Sequence, residues 1–244
     1  MPPRSAYATV ATAVLAPYFD DAASVWKGFY KLLLWFEKEV PHIIDGDKLA
    51  AGIWRERAES VQKELAREFG CKVSEVASQI DQLIKSDIFD RLPQRQNPLG
   101  IGFVTSLHLA LKHFSSPEYD FLPEEAIGKL VFQGIRKPPR DKPDLVVVRA
   151  GSEVAVISAK WSLRHDRLKD ILDEADYFKR LSPRLAFYVI TNEFDPARLT
   201  KVLDDYRIDG LFHVAKRLVT EVAGVDGRVH KMRDLSDLLV LFTN

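Results

Sequence analysis

The fold of this chain is constrained most by a change in its hydrophobic pattern after Pro138. Before that point, apolar residues recur at intervals of three and four, for example over 25–36, a spacing typical of amphipathic helices. Beyond it, two short apolar runs at 145–148 and 154–157 flank the pair Gly151-Ser152. Such an arrangement predicts a two-stranded hairpin with its turn at that pair.

Helix and strand patterns alternate after the hairpin. Helices are predicted over 167–181 and 196–206, and strands over 185–191 and 211–215. This order, helices first and then a hairpin followed by alternating elements, predicts an α/β or α+β fold in which helices flank a mixed sheet. We therefore expect a helical region over 1–100 and a sheet-containing core over 101–244.

Composition excludes several classes of protein. The 244 residues carry 35 basic and 35 acidic side chains, so there is no global positive field, and any nucleic-acid site must come from a local arrangement of charge. The single cysteine, Cys71, excludes an internal disulfide framework and favours a reducing cytoplasm. No apolar run approaches the roughly 18 residues of a membrane span, so we expect no membrane role.

Three polar residues are predicted to meet at the hairpin. Asp144 follows Pro143 at the start of the first strand, whereas Ser158 and Lys160 lie two apart on the second strand and so share a face. In a tight hairpin, Asp144 and Lys160 approach each other. Phosphodiester cleavage needs oxygen ligands for a divalent cation and a positive group near the attacking water, which these residue types supply.

These residues resemble the motif of the PD-(D/E)xK nuclease superfamily, with Pro143-Asp144 followed by Ser158-Ala159-Lys160. The chain departs from that motif because Ser158 stands where the superfamily keeps a second acid. A hydroxyl is a poor replacement for a metal-binding carboxylate. Short motifs of this kind also occur by chance, so the residues that follow Lys160 decide the comparison.

The continuation resembles restriction endonucleases that cut CCGG and related CCNGG sites. In that subgroup the missing acid is a glutamate fourteen residues after the lysine, and here that position is Glu174. An Arg-x-Asp-Arg motif follows the lysine at offsets four, six and seven, which here are Arg164, Asp166 and Arg167. At ordinary residue frequencies, four matches at fixed offsets coincide about once in 10⁵.

The resemblance has a physical basis in base recognition. A guanidinium donates two parallel hydrogen bonds to O6 and N7 of guanine, and a carboxylate accepts one from N4 of cytosine. By analogy with the subgroup, Arg164, Asp166 and Arg167 read one half of a palindromic CCGG or CCNGG site. Each subunit of a two-fold homodimer would take one half-site.

The resemblance also implies the remaining properties of the protein. It implies a restriction-endonuclease-like fold and Mg²⁺-dependent double-strand cleavage of DNA with 5′-phosphate products. Asp144 and Glu174 would hold Mg²⁺, Ser158 would be tolerated because Glu174 fills its role, and Lys160 would position or activate water and stabilise charge. Dimers could associate into tetramers, and a DNA methyltransferase would be the genetic partner.

Two assignments belong to the N-terminal half. The helical region over 1–100 would serve dimerisation, DNA contact or both. Some members of the subgroup read the minor groove with a glutamine from an N-terminal segment, and Gln94 or Gln96 beside Arg95 would be the counterpart here. The alternative for both glutamines is an exposed linker.

Other interpretations remain open from the sequence. Asp173 or Asp176 would replace Glu174 if the helix had a different register. Taken singly, the charged residues over 164–174 suit a solvated helical face. Alternative functions are a less specific PD-(D/E)xK nuclease of DNA repair or mobile elements, and a catalytically inactive DNA-binding module, for which Ser158 is the strongest argument.

Overall fold

The structure is a computed structural model that describes residues 4–38, 59, 61–83, 98–123, 143–223 and 231–243. Its centre is a six-stranded mixed sheet with the strand order β1-β2-β3-β4-β5-β6. The strands are β1 (Tyr119–Pro123), β2 (Leu145–Arg149), β3 (Ser152–Lys160), β4 (Ala186–Thr191), β5 (Gly210–His213) and β6 (Arg233–Asp234). The predicted α/β architecture, a mixed sheet flanked by helices, is confirmed.

The hairpin of β2 and β3 turns at Ala150-Gly151, one residue earlier than predicted. Arg149 pairs with Ser152, and the two turn residues have φ angles of 49° and 77°. A two-residue hairpin turn of type I′ requires positive φ at both positions. The prediction of Gly151-Ser152 was wrong because alanine rarely adopts this conformation, so Ala150 carried no turn signal.

Strands β3 to β6 run parallel to one another, whereas β1 to β3 form an antiparallel meander. Helices therefore connect the parallel strands, as such crossovers require. They are α6 (His165–Leu181), α7 (Pro196–Leu203) and α8 (Lys216–Ala223), and α9 (Leu235–Leu239) follows β6. The residues after β3 and after β4 consequently emerge side by side at one edge of the sheet, where the predicted site residues lie.

The N-terminal half supplies a layer of helices. They are α1 (Arg4–Leu15), α2 (Val25–Lys38), a helix α3 over 61–69, α4 (Val76–Leu83) and α5 (Pro98–Phe114). Helices α1, α2 and α5 pack on one another, and α5 also contacts β1 and β3. The predicted division at residue 100 falls inside α5, and buried residues of the helices and the sheet belong to one hydrophobic cluster.

Within the described parts of the chain, no helix combines the length and the apolar character that a membrane span needs.

Candidate active site

Asp144 lies immediately before β2 and faces the end of β3. Its Oδ2 accepts hydrogen bonds from the backbone N–H of Ala159 at 2.7 Å and from Nζ of Lys160 at 2.9 Å. The side chain is 20% exposed, so the carboxylate is half-buried and not fully exposed as a strand-end residue would be. The contact between Asp144 and the end of β3 follows from the pairing of Leu145 with Ile157, because that pairing places Asp144 opposite the stretch that begins at Ser158.

Lys160 is the last residue of β3 and its ammonium group lies between two carboxylates. Its Nζ is 2.9 Å from Oδ2 of Asp144 and 4.0 Å from Oε1 of Glu174. Burial acts to lower the pKa of Lys160, but the charges of Asp144 and Glu174 and the hydrogen bond to Asp144 outweigh it and raise the pKa. Lys160 is therefore a cation in this arrangement.

Glu174 reaches the site from α6, in the register predicted from its offset. The buried face of this helix contains Ile171, Ala175 and Phe178, and Glu174 is three residues after the first of them, on the same face. Its side chain is only 3% exposed. Asp144, Lys160 and Glu174 thus form one group, which we call the carboxylate–lysine cluster.

The two acids that flank Glu174 lie elsewhere. Asp173 is exposed to solvent. Asp176 pairs with Arg180 at 2.8 Å and with Arg207 at 3.0 Å. Both alternatives for the second acid of the site therefore point away from Lys160, and Glu174 is the acidic residue of α6 that faces it.

Ser158 lies on β3 two residues before Lys160, on the same side of the strand. It is completely buried, and its Oγ has no hydrogen-bond partner within the described residues. Buried hydroxyls normally find a partner. An unsatisfied buried oxygen on the face of β3 that carries Lys160 fits a place where water or another polar group would complete the site.

The cluster has the chemistry of a magnesium site with few protein ligands. Asp144, Glu174 and Ser158 offer hard oxygen atoms, and Mg²⁺ is commonly bound by one or two carboxylates, with water and phosphate completing six positions. No group of three or more His, Cys, Asp or Glu side chains suited to hold a metal occurs in the described part of the chain. Two carboxylates fit Mg²⁺ and do not fit a closed structural site such as that of zinc.

The residues predicted to read bases lie at the N-terminus of α6 and are exposed. We call residues 164–167 the arginine segment. Arg164 is the residue before the helix, and its guanidinium is 3.3 Å from Asp166, with side chains 53% and 62% exposed. Arg167 is 44% exposed and lies 3.7 Å from Asp170. These side chains are accessible to a ligand, and their present ion pairs join near neighbours in the sequence and are weak because they are exposed.

The predicted minor-groove residues Gln94 and Gln96 lie outside the described residues. The structure therefore leaves that assignment as a prediction.

Sequence reasoning missed Glu193, in the loop after β4. Its carboxylate is 7% exposed and accepts hydrogen bonds from the backbone N–H groups of Leu163, Phe194 and Asp195. The available signal was an acid two residues after an apolar strand whose parallel neighbour ends in Lys160. That signal is readable only once the pairing of β3 with β4 is known.

No protein-family model matches this chain, and no curated protein matches it significantly.

Proposed function

We propose that this protein is a type II restriction endonuclease that makes Mg²⁺-dependent double-strand breaks at a palindromic DNA site containing CCGG or CCNGG. The carboxylate–lysine cluster carries the proposal. The carboxylates of Asp144 and Glu174 lie 2.9 and 4.0 Å from Nζ of Lys160. The three residues have the spacing in the sequence that the resemblance implies.

The cluster supplies what hydrolysis of a phosphodiester requires. A water oxygen attacks phosphorus, the P–O3′ bond breaks, and the 3′ oxygen leaves with a proton, so that the products are a 5′-phosphate and a 3′-hydroxyl. Mg²⁺ when bound would polarise the phosphate and lower the pKa of a bound water. Asp144 and Glu174 would hold the cation, and the Lys160 ammonium would orient the water and stabilise the charge that develops on the phosphate oxygens.

The arginine segment suits the reading of G and C. Arg164 and Arg167 are exposed cations three residues apart, and Asp166 between them is an exposed acceptor. Guanidinium groups match the O6 and N7 acceptors of guanine, and a carboxylate matches the N4 donor of cytosine. Two copies of the segment related by two-fold symmetry would read both halves of a palindrome, which is why we propose a homodimer.

Incubation of a supercoiled plasmid of known sequence with the protein and Mg²⁺ tests the proposal. We expect discrete fragments whose sequenced ends fall at sites containing CCGG or CCNGG, and no cutting in EDTA or by the Lys160→Ala variant. A smear would replace the proposal with the less specific nuclease. Intact plasmid at every Mg²⁺ concentration would replace it with the catalytically inactive DNA-binding module.

A further inference from the structure

The loop that leads into the arginine segment is tied to the loop after β4. Strands β3 and β4 are parallel neighbours, and their last residues, Lys160 and Thr191, are paired. One residue further, the backbone N–H of Asn192 donates to the carbonyl of Trp161 at 3.2 Å. The Tyr30 hydroxyl donates to Oδ1 of Asn192 at 2.8 Å, so helix α2 braces this junction.

Glu193 makes the second tie between the two loops. Its Oε2 accepts a hydrogen bond from the backbone N–H of Leu163 at 2.8 Å. Its Oε1 accepts from the N–H groups of Phe194 and Asp195 at 2.9 and 3.0 Å, and Arg198 lies 3.4 Å from Oε2. One oxygen therefore holds the neighbouring loop while the other is fixed in its own loop, and hydrogen bonds to a charged acceptor are strong.

The backbone conformation of Arg164 is fixed on both sides, by the anchored loop before it and by the start of α6 after it. Leu163, directly before it, is completely buried and held by Glu193. The carbonyl of Arg164 accepts the first hydrogen bond of α6, from the N–H of Leu168 at 2.8 Å. The backbone is thereby held between a loop anchor and a helix start, while the side chain stays exposed. Fixing the backbone reduces the conformational entropy that is lost when the side chain meets a base.

We infer that Glu193 is a positioning residue for base recognition: its buried carboxylate holds Leu163 so that Arg164 is presented in the geometry needed to read DNA. The inference rests on the proposed function, because it assigns Arg164 to recognition. The anchor itself is measurable without DNA, so the two can fail separately.

Glu193→Gln is the direct test. The amide is the same size but has only one acceptor oxygen, so it cannot serve both Leu163 and the Phe194–Asp195 pair. Asp209→Asn is the matched control, because Asp209 accepts from the backbone N–H of Phe187 at 2.6 Å and pairs with Lys179 at 2.6 Å, near the other end of β4. Both changes replace a carboxylate that accepts a hydrogen bond from a backbone N–H, but only Glu193 holds the residue directly before Arg164.

Amide hydrogen exchange, measured by NMR without DNA, tests the anchor, which is the hydrogen bond from the Leu163 N–H to Glu193. We expect exchange at the Leu163 N–H to be about tenfold faster or more in Glu193→Gln and unchanged in Asp209→Asn. Should Glu193→Gln fold poorly, Glu193→Asp replaces it, since the shorter side chain keeps the charge but does not span to Leu163. Unchanged exchange at Leu163 in the folded variant would overturn the anchor.

Binding to two DNA duplexes, one with the CCGG or CCNGG site found in the plasmid digestion and one with a single changed base in that site, reports recognition. In buffer without divalent cations, we expect the ratio of the two dissociation constants to fall about tenfold in Glu193→Gln and to stay within about twofold in Asp209→Asn. An unchanged ratio despite faster exchange would overturn the positioning role. Equal binding of both duplexes by the wild type would overturn the proposed function instead, and exchange at Leu163 would still decide the anchor.

Discussion

The carboxylate–lysine cluster and the arginine segment are joined by one helix but differ in how much of their structure exists without a ligand. In the cluster, the side chains of Glu174, Lys160 and Asp144 are 3%, 15% and 20% exposed, and Lys160 contacts both carboxylates. In the arginine segment, Arg164 and Asp166 are 53% and 62% exposed and contact each other within one turn. The cluster is organised by the fold, whereas the side chains of the segment are exposed and form ion pairs with near neighbours in the sequence.

This difference shows that the side chains of the cluster are held in place before a ligand binds, whereas those of the arginine segment are not. Stabilisation of developing charge requires groups that are already oriented in a water-poor environment, and burial supplies that orientation. Base reading requires side chains that reach into a groove, so they have to be exposed, and only their backbone can be arranged beforehand. We therefore expect variants of the cluster to change the cleavage rate and variants of the arginine segment to change base discrimination.

The largest expected effect is on cleavage by cluster variants. Lys160→Ala and Glu174→Ala should each lower the cleavage rate about 10³-fold or more, because each removes a group that, in the proposed function, acts on the reacting phosphate or its cation. Binding of the CCGG duplex should remain close to that of the wild type. Lys169→Ala, an exposed change on the same helix, is the control and should cut normally. Full activity of Glu174→Ala would exclude that residue from the site.

Loss of a buried side chain of the cluster should destabilise the protein more than loss of an exposed side chain of the arginine segment. Asp144→Ala removes the partner of the Ala159 N–H and of the Lys160 ammonium, so the free energy of unfolding should fall by about 1 to 3 kcal/mol. Arg164→Ala removes an exposed side chain and should change it by less than about 0.5 kcal/mol. Urea denaturation measures both. Equal losses would contradict the division between an organised cluster and an open segment.

Discrimination between bases should depend on the segment and not on the cluster. Arg167→Ala should lose about 1 to 3 kcal/mol of preference for the cognate base at one position, measured as a ratio of cleavage rates on matched and mismatched duplexes. Arg180→Ala, an exposed arginine of the same helix paired with Asp176, should keep the wild-type ratio. If Arg167→Ala cut the same sites at the same rates, the segment would have no part in base reading.

Mg²⁺ should stabilise the protein through the cluster alone. At ten times its dissociation constant, a cation that binds only the folded state adds about 1.4 kcal/mol, visible as a higher Tm in the absence of DNA. Glu174→Gln should abolish this gain, whereas Arg164→Ala should retain it. A gain that survives in Glu174→Gln would mean that the cation binds elsewhere.

Much of the cluster could be predicted because its geometry is local. Ser158 and Lys160 share a face through the two-residue period of a strand, and a hairpin brings Asp144 back to them. The register of Glu174 followed from its offset in the resemblance, and the apolar spacing of α6 agrees with it. These relations need only the sequence within about thirty residues.

The rest depended on pairing between distant elements. Glu193 contacts Leu163 in the loop after the neighbouring strand, and only the folded sheet brings the two loops together, so the acid after β4 could not be connected to Leu163 from the sequence alone. Strand β1 was missed because Tyr119–Pro123 is short and ends in proline, which normally argues against a strand. The hydrogen bond from the Ala159 N–H to Asp144 was not predicted either, because it depends on the exact pairing of the two strands.

The β2–β3 hairpin contains one residue that its pairing does not use. A register shift between Val147 and Val148 leaves Val154 without a partner in the pairing, so β3 contains one residue more than β2 opposite it. Deleting Val154 would leave Ala155 opposite Val147, so Ser158 and Lys160 would keep their side of the sheet and their place beside Asp144. The bulge therefore gives the hairpin a tolerance of one residue in length between its turn and the cluster.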